Sequence, residues 1–175
     1  MKSIFYSLFS LIFFQGIAQT FSPSEQHQID SINAIINNPL SHDTDLASAY
    51  GNLSIILYVS NIDTIIPLCS KSIRIAEKSL TKNPTAKVTK SLKNSISDAL
   101  NNIGYAYMDK GDFSQALKYF HKSLKIYEET KNKKGIGDSY NNIGMVYDYH
   151  GDSKLALKYY HKSLIVYKEI RNKKL

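Results

Sequence analysis

Two histidines, His121 and His161, stand 40 residues apart in matching surroundings, each followed by a lysine. An imidazole can bind a metal or move a proton, but a metal needs further ligands at short spacing, and the sequence offers none. They read as solvated or packing side chains. Gly111-Asp112 and Gly151-Asp152 lack the neighbouring Gly-Lys-Ser/Thr of a phosphate-cradling loop. The single cysteine, Cys69, excludes an internal disulfide; it lies in an apolar stretch, as a small core residue rather than a reactive thiol. Serines and aspartates are present without a nucleophile elbow. No catalytic constellation, cofactor motif or metal set emerges, so the expectation is no enzyme, no cofactor and no metal. The residues that could do chemistry are asparagines, paired as Asn101-Asn102 and Asn141-Asn142. An amide side chain both donates and accepts, so it can hold a peptide main chain without reading its sequence. That is recognition chemistry.

The elements that would position them repeat. Asn101-Asn102-Ile103-Gly104 returns as Asn141-Asn142-Ile143-Gly144, and the same 40-residue shift carries Tyr107 to Tyr147 and Gly111 to Gly151. It also carries Ala116-Leu117-Lys118-Tyr119 to Ala156-Leu157-Lys158-Tyr159, and His121-Lys122-Ser123-Leu124 to His161-Lys162-Ser163-Leu164. Each unit predicts two helices. Leu100, Ile103, Gly104 and Tyr107 share one face of the first; Phe113, Ala116, Leu117, Phe120, Leu124 and Tyr127 share one face of the second. Gly111 can end the first helix in the left-handed conformation, and Asp112 can cap the second, with Gln115 placed to complete a capping box. Gly151 and Asp152 repeat the device, although Leu155 cannot complete a box. Such units in tandem stack into an α-solenoid.

A weaker copy lies upstream, where Asn52-Leu53-Ser54 answers Asn102-Ile103-Gly104 and Lys71 through Glu77 answers Lys122 through Glu128, with the register slipping by one residue between them. Pro67 falls in the first turn of a second helix, where a missing N–H is tolerated. Ser24 to Asn37 predicts a short amphipathic helix stopped at Pro39, and a helix from about Thr85 to Lys110 enters the first clear repeat.

These residues resemble the tetratricopeptide repeat. The pattern is matched by Ile103-Gly104, Tyr107, Gly111, Ala116 and Phe120, and again by Ile143-Gly144, Tyr147, Gly151, Ala156 and Tyr160. The commonest period in that family is 34 residues, and the proline that usually closes a repeat is absent here, so the chain resembles the longer-repeat branch. The resemblance implies an all-α, right-handed solenoid, with Gly104, Ala116, Gly144 and Ala156 small because paired helices cross there. It divides the chain into a degenerate pair over 45–97 and repeats over 98–137 and 138–175. It also implies that first helices line a concave groove for a protein or peptide ligand. The lining would be Asp98, Asn101, Asn102, Tyr105, Met108 and Asp109, then Asp138, Asn141, Asn142, Met145, Asp148 and Tyr149. The alternative is that the asparagines bond to neighbouring helices. Aspartates in that lining argue for a neutral or basic ligand.

Residues 1–18 begin with Lys2, continue through an apolar run from Ile4 to Ile17 and reach Gly16-Ile17-Ala18, the form of a secretory signal peptide. The run is short against the roughly twenty residues of a membrane span; an uncleaved anchor or a buried helix is the alternative. No cysteine follows to suggest a lipoprotein. Residues 19–44 then supply the first helix and a linker. Export to the periplasm or envelope is expected, and with it no nucleic-acid partner for this segment and no membrane span in the mature chain. A formal charge of +7 would otherwise invite a nucleic-acid reading, but Lys118, Lys122, Lys125, Lys158 and Lys162 recur as a solvated helix face does. The whole arrangement is similar to the exported sensor regions of bacterial signalling proteins of the Bacteroidetes type. The alternative is a structural solenoid fragment of a truncated gene product. The chain stops inside a join, which makes it look truncated, and Tyr160, Leu164 and Tyr167 predict an apolar stripe open to self-association.

Overall fold

The computed structural model of the chain describes residues 21–58 and 62–172. The expected leader over 1–18 lies outside the described residues. Within them are seven α-helices and no strand: α1 (Pro23–Asn37), α2 (Asp43–Ile56), α3 (Ile65–Leu80), α4 (Ala86–Asp109), α5 (Phe113–Thr130), α6 (Lys133–Tyr149) and α7 (Ser153–Asn172). A short 3-10 turn, Ile62–Thr64, leads into α3. The chain is an all-α helical repeat.

The ends of the helices follow from local chemistry. Gly111 and Gly151 adopt φ of +75° and +85°, which an L side chain resists, and the turn back lets Asp112 N–H reach Tyr107 O at 2.9 Å and Asp152 N–H reach Tyr147 O at 2.8 Å. Asp112 then caps α5 by accepting from Gln115 N–H, and Asp152 caps α7 by accepting from Leu155 N–H, both at 3.0 Å. A full capping box forms at α1, where Ser22 and Glu25 bond reciprocally. Pro67 sits in the first turn of α3.

Helices pair as α2–α3, α4–α5 and α6–α7, and each pair packs on the next. The core is accordingly segmented. Ala47, Ala76, Leu92 and Ile96 fill the first segment; Ile65, Cys69, Ala99, Ile103 and Ala106 the second; Ala116, Phe120, Leu124, Ile143 and Val146 belong to the third. Cys69 is a core residue whose thiol donates to Ser54 Oγ at 3.2 Å, and burial pushes that thiol up to about 11. The small residues stand where helices cross: a Cβ at Gly104 would lie 2.6 Å from Phe120, and one at Gly144 would lie 2.8 Å from Tyr160.

One hydrogen bond marks all three pairs. Ser72 Oγ donates to Ala47 O at 2.6 Å, Ser123 Oγ to Ser97 O at 2.8 Å, and Ser163 Oγ to Gly137 O at 2.9 Å. Each fastens a second helix to its first. The degenerate upstream pair therefore shares the inner geometry of the clear repeats, with the slip of one residue absorbed between its helices. The sequence-derived divisions at 97/98 and 137/138 fall within α4 and α6, so they mark the phase of the repeat and not breaks in the chain. No helix among the described residues is long and apolar enough to cross a membrane.

Candidate binding groove

Besides pairing along the chain, α2 touches α4 and α4 touches α6, whereas α3, α5 and α7 meet one another only sparsely. First helices thus form the inner side of the stack. On α4, Asp98, Asn101, Tyr105 and Asp109 fall at i, i+3, i+7 and i+11, one helical face; on α6, Asp138, Asn141, Met145 and Tyr149 repeat it. All eight retain solvent access, and Tyr149 is 67% exposed. Asp148, beside Tyr149, is also exposed.

The asparagines divide between two roles. Asn142 is 2% exposed. Its amide donates to Asn101 Oδ1 at 2.8 Å and its carbonyl oxygen accepts from the Tyr105 hydroxyl at 2.5 Å, so it ties α6 to α4. Asn102, the same position one repeat earlier, donates to Ser54 Oγ at 3.1 Å and Gly51 O at 3.4 Å, tying α4 to α2. The expectation that Asn142 lines the groove is therefore corrected, whereas Asn102 is half-buried and keeps partial solvent access. Asn142 faces the adjacent first helix, where both the N–H and the carbonyl end of its amide are hydrogen-bonded. Met108, expected in the lining, is buried in the core. Asn101 and Asn141 keep partial exposure, Asn141 donating to the Met145 thioether at 3.4 Å.

Sequence reasoning missed the tyrosine hydroxyls that brace the aspartates. Tyr127 of α5 donates to Asp98, Tyr167 of α7 donates to Asp138, and Tyr58 donates to Asp109. The first two could have been found, because Asp98 and Tyr127 recur as Asp138 and Tyr167 under the 40-residue shift. Tyr58 belongs to the degenerate pair, where the register slip hides it. Burial, and then the Asp138 charge, hold Tyr105 above the ordinary phenol range; burial and the bond to Asp138 push Tyr167 up to about 12. Phenols so placed stay neutral donors at physiological pH. The inner face carries aspartates and tyrosines although the chain as a whole is basic.

Gly104 of α4 lies against Phe120 of α5, and Gly144 of α6 lies against Tyr160 and the Ala156 carbonyl of α7; Ala116 and Ala156 are themselves buried on α5 and α7. Tyr107 stacks on Tyr119 with ring centroids 5.3 Å apart, and Tyr147 on Tyr159 at 5.5 Å. His121 packs edge-on to Tyr159 at 6.5 Å. Among the described residues no group of three or more His, Cys, Asp or Glu side chains could hold a metal ion.

Comparison with known proteins agrees with this geometry over the clear repeats. Residues 95–169 match the family model described as tetratricopeptide repeat. That match runs from within α4 to near the end of α7 and omits the upstream pair. Among curated proteins nothing matches the chain. Over residues 95–169 the chain is similar to the tetratricopeptide repeat family, whose repeats serve protein–protein interaction and are not typically enzymes.

Proposed function

We propose that this chain is a binding module that takes a neutral or basic protein or peptide segment along the inner face of α4 and α6. One observation carries the reading: a row of aspartates and tyrosines lies on the inner face of a chain whose net charge is +7. A basic segment laid there gains charge-assisted hydrogen bonds from Asp109 and Asp148, while Tyr149 and Met145 offer adaptable apolar contact. Specificity would come from charge and shape, since Asn101 and Asn141 bond a main chain whatever its side chains. The form of residues 1–18 supports the further proposal that the module works outside the cytoplasm, in the periplasm or envelope, as the sensory or scaffold part of a signalling protein.

A peptide library graded by net charge tests the groove. Basic and neutral peptides are expected to be retained, and Asp109→Lys with Asp148→Lys should abolish the preference while helicity is unchanged. Retention of acidic peptides, or indifference to both substitutions, would end this reading. The second reading, a structural solenoid with no ligand, is favoured by the engagement of Asn102 and Asn142 between helices; it requires that no peptide be retained at all. Export is tested separately by fusing residues 1–25 to a reporter active only outside the cytoplasm, with inactivity counting against the sensor.

A further inference from the structure

The charges and the uncovered apolar side chains are distributed along the stack, not scattered. From Phe21 to Ser70 the sequence contains Glu25, Asp30, Asp43, Asp45 and Asp63 and no lysine or arginine. At the other end α7 carries Lys154, Lys158, Lys162, Lys168 and Arg171 against Glu169 alone. Some of these are spent internally: Asp43 pairs with Lys82 at 2.8 Å, and Glu169 with Lys133. Asp30 and Asp45 at the acidic end, and Lys154, Lys158, Lys168 and Arg171 at the basic end, meet no opposite charge in an ion pair among the described residues.

Exposed apolar side chains follow the same polarity. Ile35, Leu40 and Ile55 are exposed at the α1–α2 end, Leu40 to 90%. On α7, Leu157, Leu164 and Ile165 are exposed, with Tyr167 partly so. Between them, α3 to α6 leave only Tyr149 uncovered, in the groove. The stripe on α7 has an internal measure of what it lacks. Leu124 and Tyr127 are 8% and 4% exposed because α6 lies over them, while Leu164 and Tyr167, their counterparts, stand at 49% and 38%; Tyr160, the counterpart of Phe120, is half-buried. Shallow depressions mark both ends, one bordered by Ala34, Ile35, Leu40 and Asp45, the other by Leu157, Lys158, Tyr160 and Leu164.

We infer that the basic α7 face of one copy docks on the acidic α1–α2 face of a second copy, head to tail. Opposite charges favour this pairing over α7 against α7, which would set Lys154, His161 and Lys168, aligned along one edge of the Leu157–Tyr160–Leu164–Tyr167 stripe, against their own kind. Apolar contact supplies the affinity at the centre, and the charges around it set orientation. Because the two surfaces differ, the contact is heterologous and builds rings or open filaments. This inference is independent of the groove reading.

The test uses the 175-residue chain and two variants with one surface blocked in each. Asp30→Lys with Leu40→Lys blocks the head; Leu164→Glu with Lys168→Glu blocks the tail. All four positions are exposed, and unchanged circular dichroism verifies the fold. By light scattering the parent's mean mass should rise with concentration and fall with added salt, since exposed charges are screened. Each variant alone should stay monomeric, and an equimolar mixture should stop at twice the monomer mass, because each retains one intact surface. Three results would overturn the proposal: a parent that stays monomeric throughout, a head-blocked variant that dimerises alone through α7, or association that survives both blocks, as it would if the first twenty residues drove it.

Discussion

At the scale of single residues, the repeat supplies its own controls. Ser139 is fully buried in α6 and its hydroxyl has no hydrogen-bond partner, while the equivalent position in α4 is Ala99, equally buried. An unpaired buried hydroxyl costs on the order of 1–3 kcal/mol. Ser139→Ala is therefore expected to raise the unfolding free energy by about 1 kcal/mol in urea titration, and a loss of stability would reveal a partner. The opposite outcome is expected at the helix crossings. Ala116→Leu or Gly144→Leu should cost roughly 1–3 kcal/mol by overpacking, whereas Lys122→Leu should cost little, since Lys122 is exposed with its ammonium over the Tyr119 ring at 5.4 Å. Asn142→Ala joins the damaging class, because it leaves the Tyr105 hydroxyl and Asn101 without their partner; a stability unchanged within a few tenths of a kcal/mol would return Asn142 to the groove.

At the scale of elements, second helices are fastened to first helices by tyrosine–aspartate bonds, and those bonds give the molecule a pH dependence. The phenols of Tyr127 and Tyr167 are both held above their ordinary value, first by burial and then by the facing Asp98 or Asp138. A folded-state pKa above the unfolded one favours the protonated form in the fold. The stabilisation is thus complete below about 10, the ordinary tyrosine value, and is lost as pH rises through the folded-state value, about 12 for Tyr167. Melting temperature should stay level up to about pH 10 and drop steeply above it, towards the folded-state value of about 12 for Tyr167. Tyr167→Phe should soften that drop while lowering stability at neutral pH; an identical alkaline profile in parent and variant would show that lysine neutralisation, not the phenol, governs it.

At the scale of the whole molecule, a segmented core means that each pair depends on its neighbours. Burial is uneven along the stack. In α4, nine residues are buried, in α1 only Ile29, and in α7 only Ala156 and Ser163. Amide hydrogen exchange should therefore be slowest in α4 and the facing part of α5, and fastest in α1 and α7, since opening free energy follows local burial. At concentrations where copies associate, α7 and α1 should gain protection together. Uniform protection along the chain would mean that the solenoid unfolds as one cooperative block.

The sequence by itself determined the helices, their order and the tight turns inside each clear repeat. Apolar spacing, Gly111 and Gly151, Asp112 and Asp152 are local signals, and a 40-residue recurrence leaves one consistent way to read them. Through its resemblance to the tetratricopeptide repeat it also pointed to 104, 116, 144 and 156 as positions where small residues let helices cross. Which polar residues face a ligand was decided only by the tertiary structure. Asn141 and Asn142 are adjacent and chemically identical, yet one keeps partial solvent access and the other is buried against α4. That outcome depends on the angle at which one first helix lies on the next, a quantity no short window of sequence encodes. The recurrence of Asp98 and Tyr127 as Asp138 and Tyr167 is visible in the sequence, but that each hydroxyl reaches across 29 residues to its carboxylate is decided by how the paired helices pack. The separation of an acidic stretch over residues 21–70 from a basic α7 is legible in the order of the residues, but only the packing of each helix on its neighbours sets the two far apart in space, because sequence order does not say which helices touch.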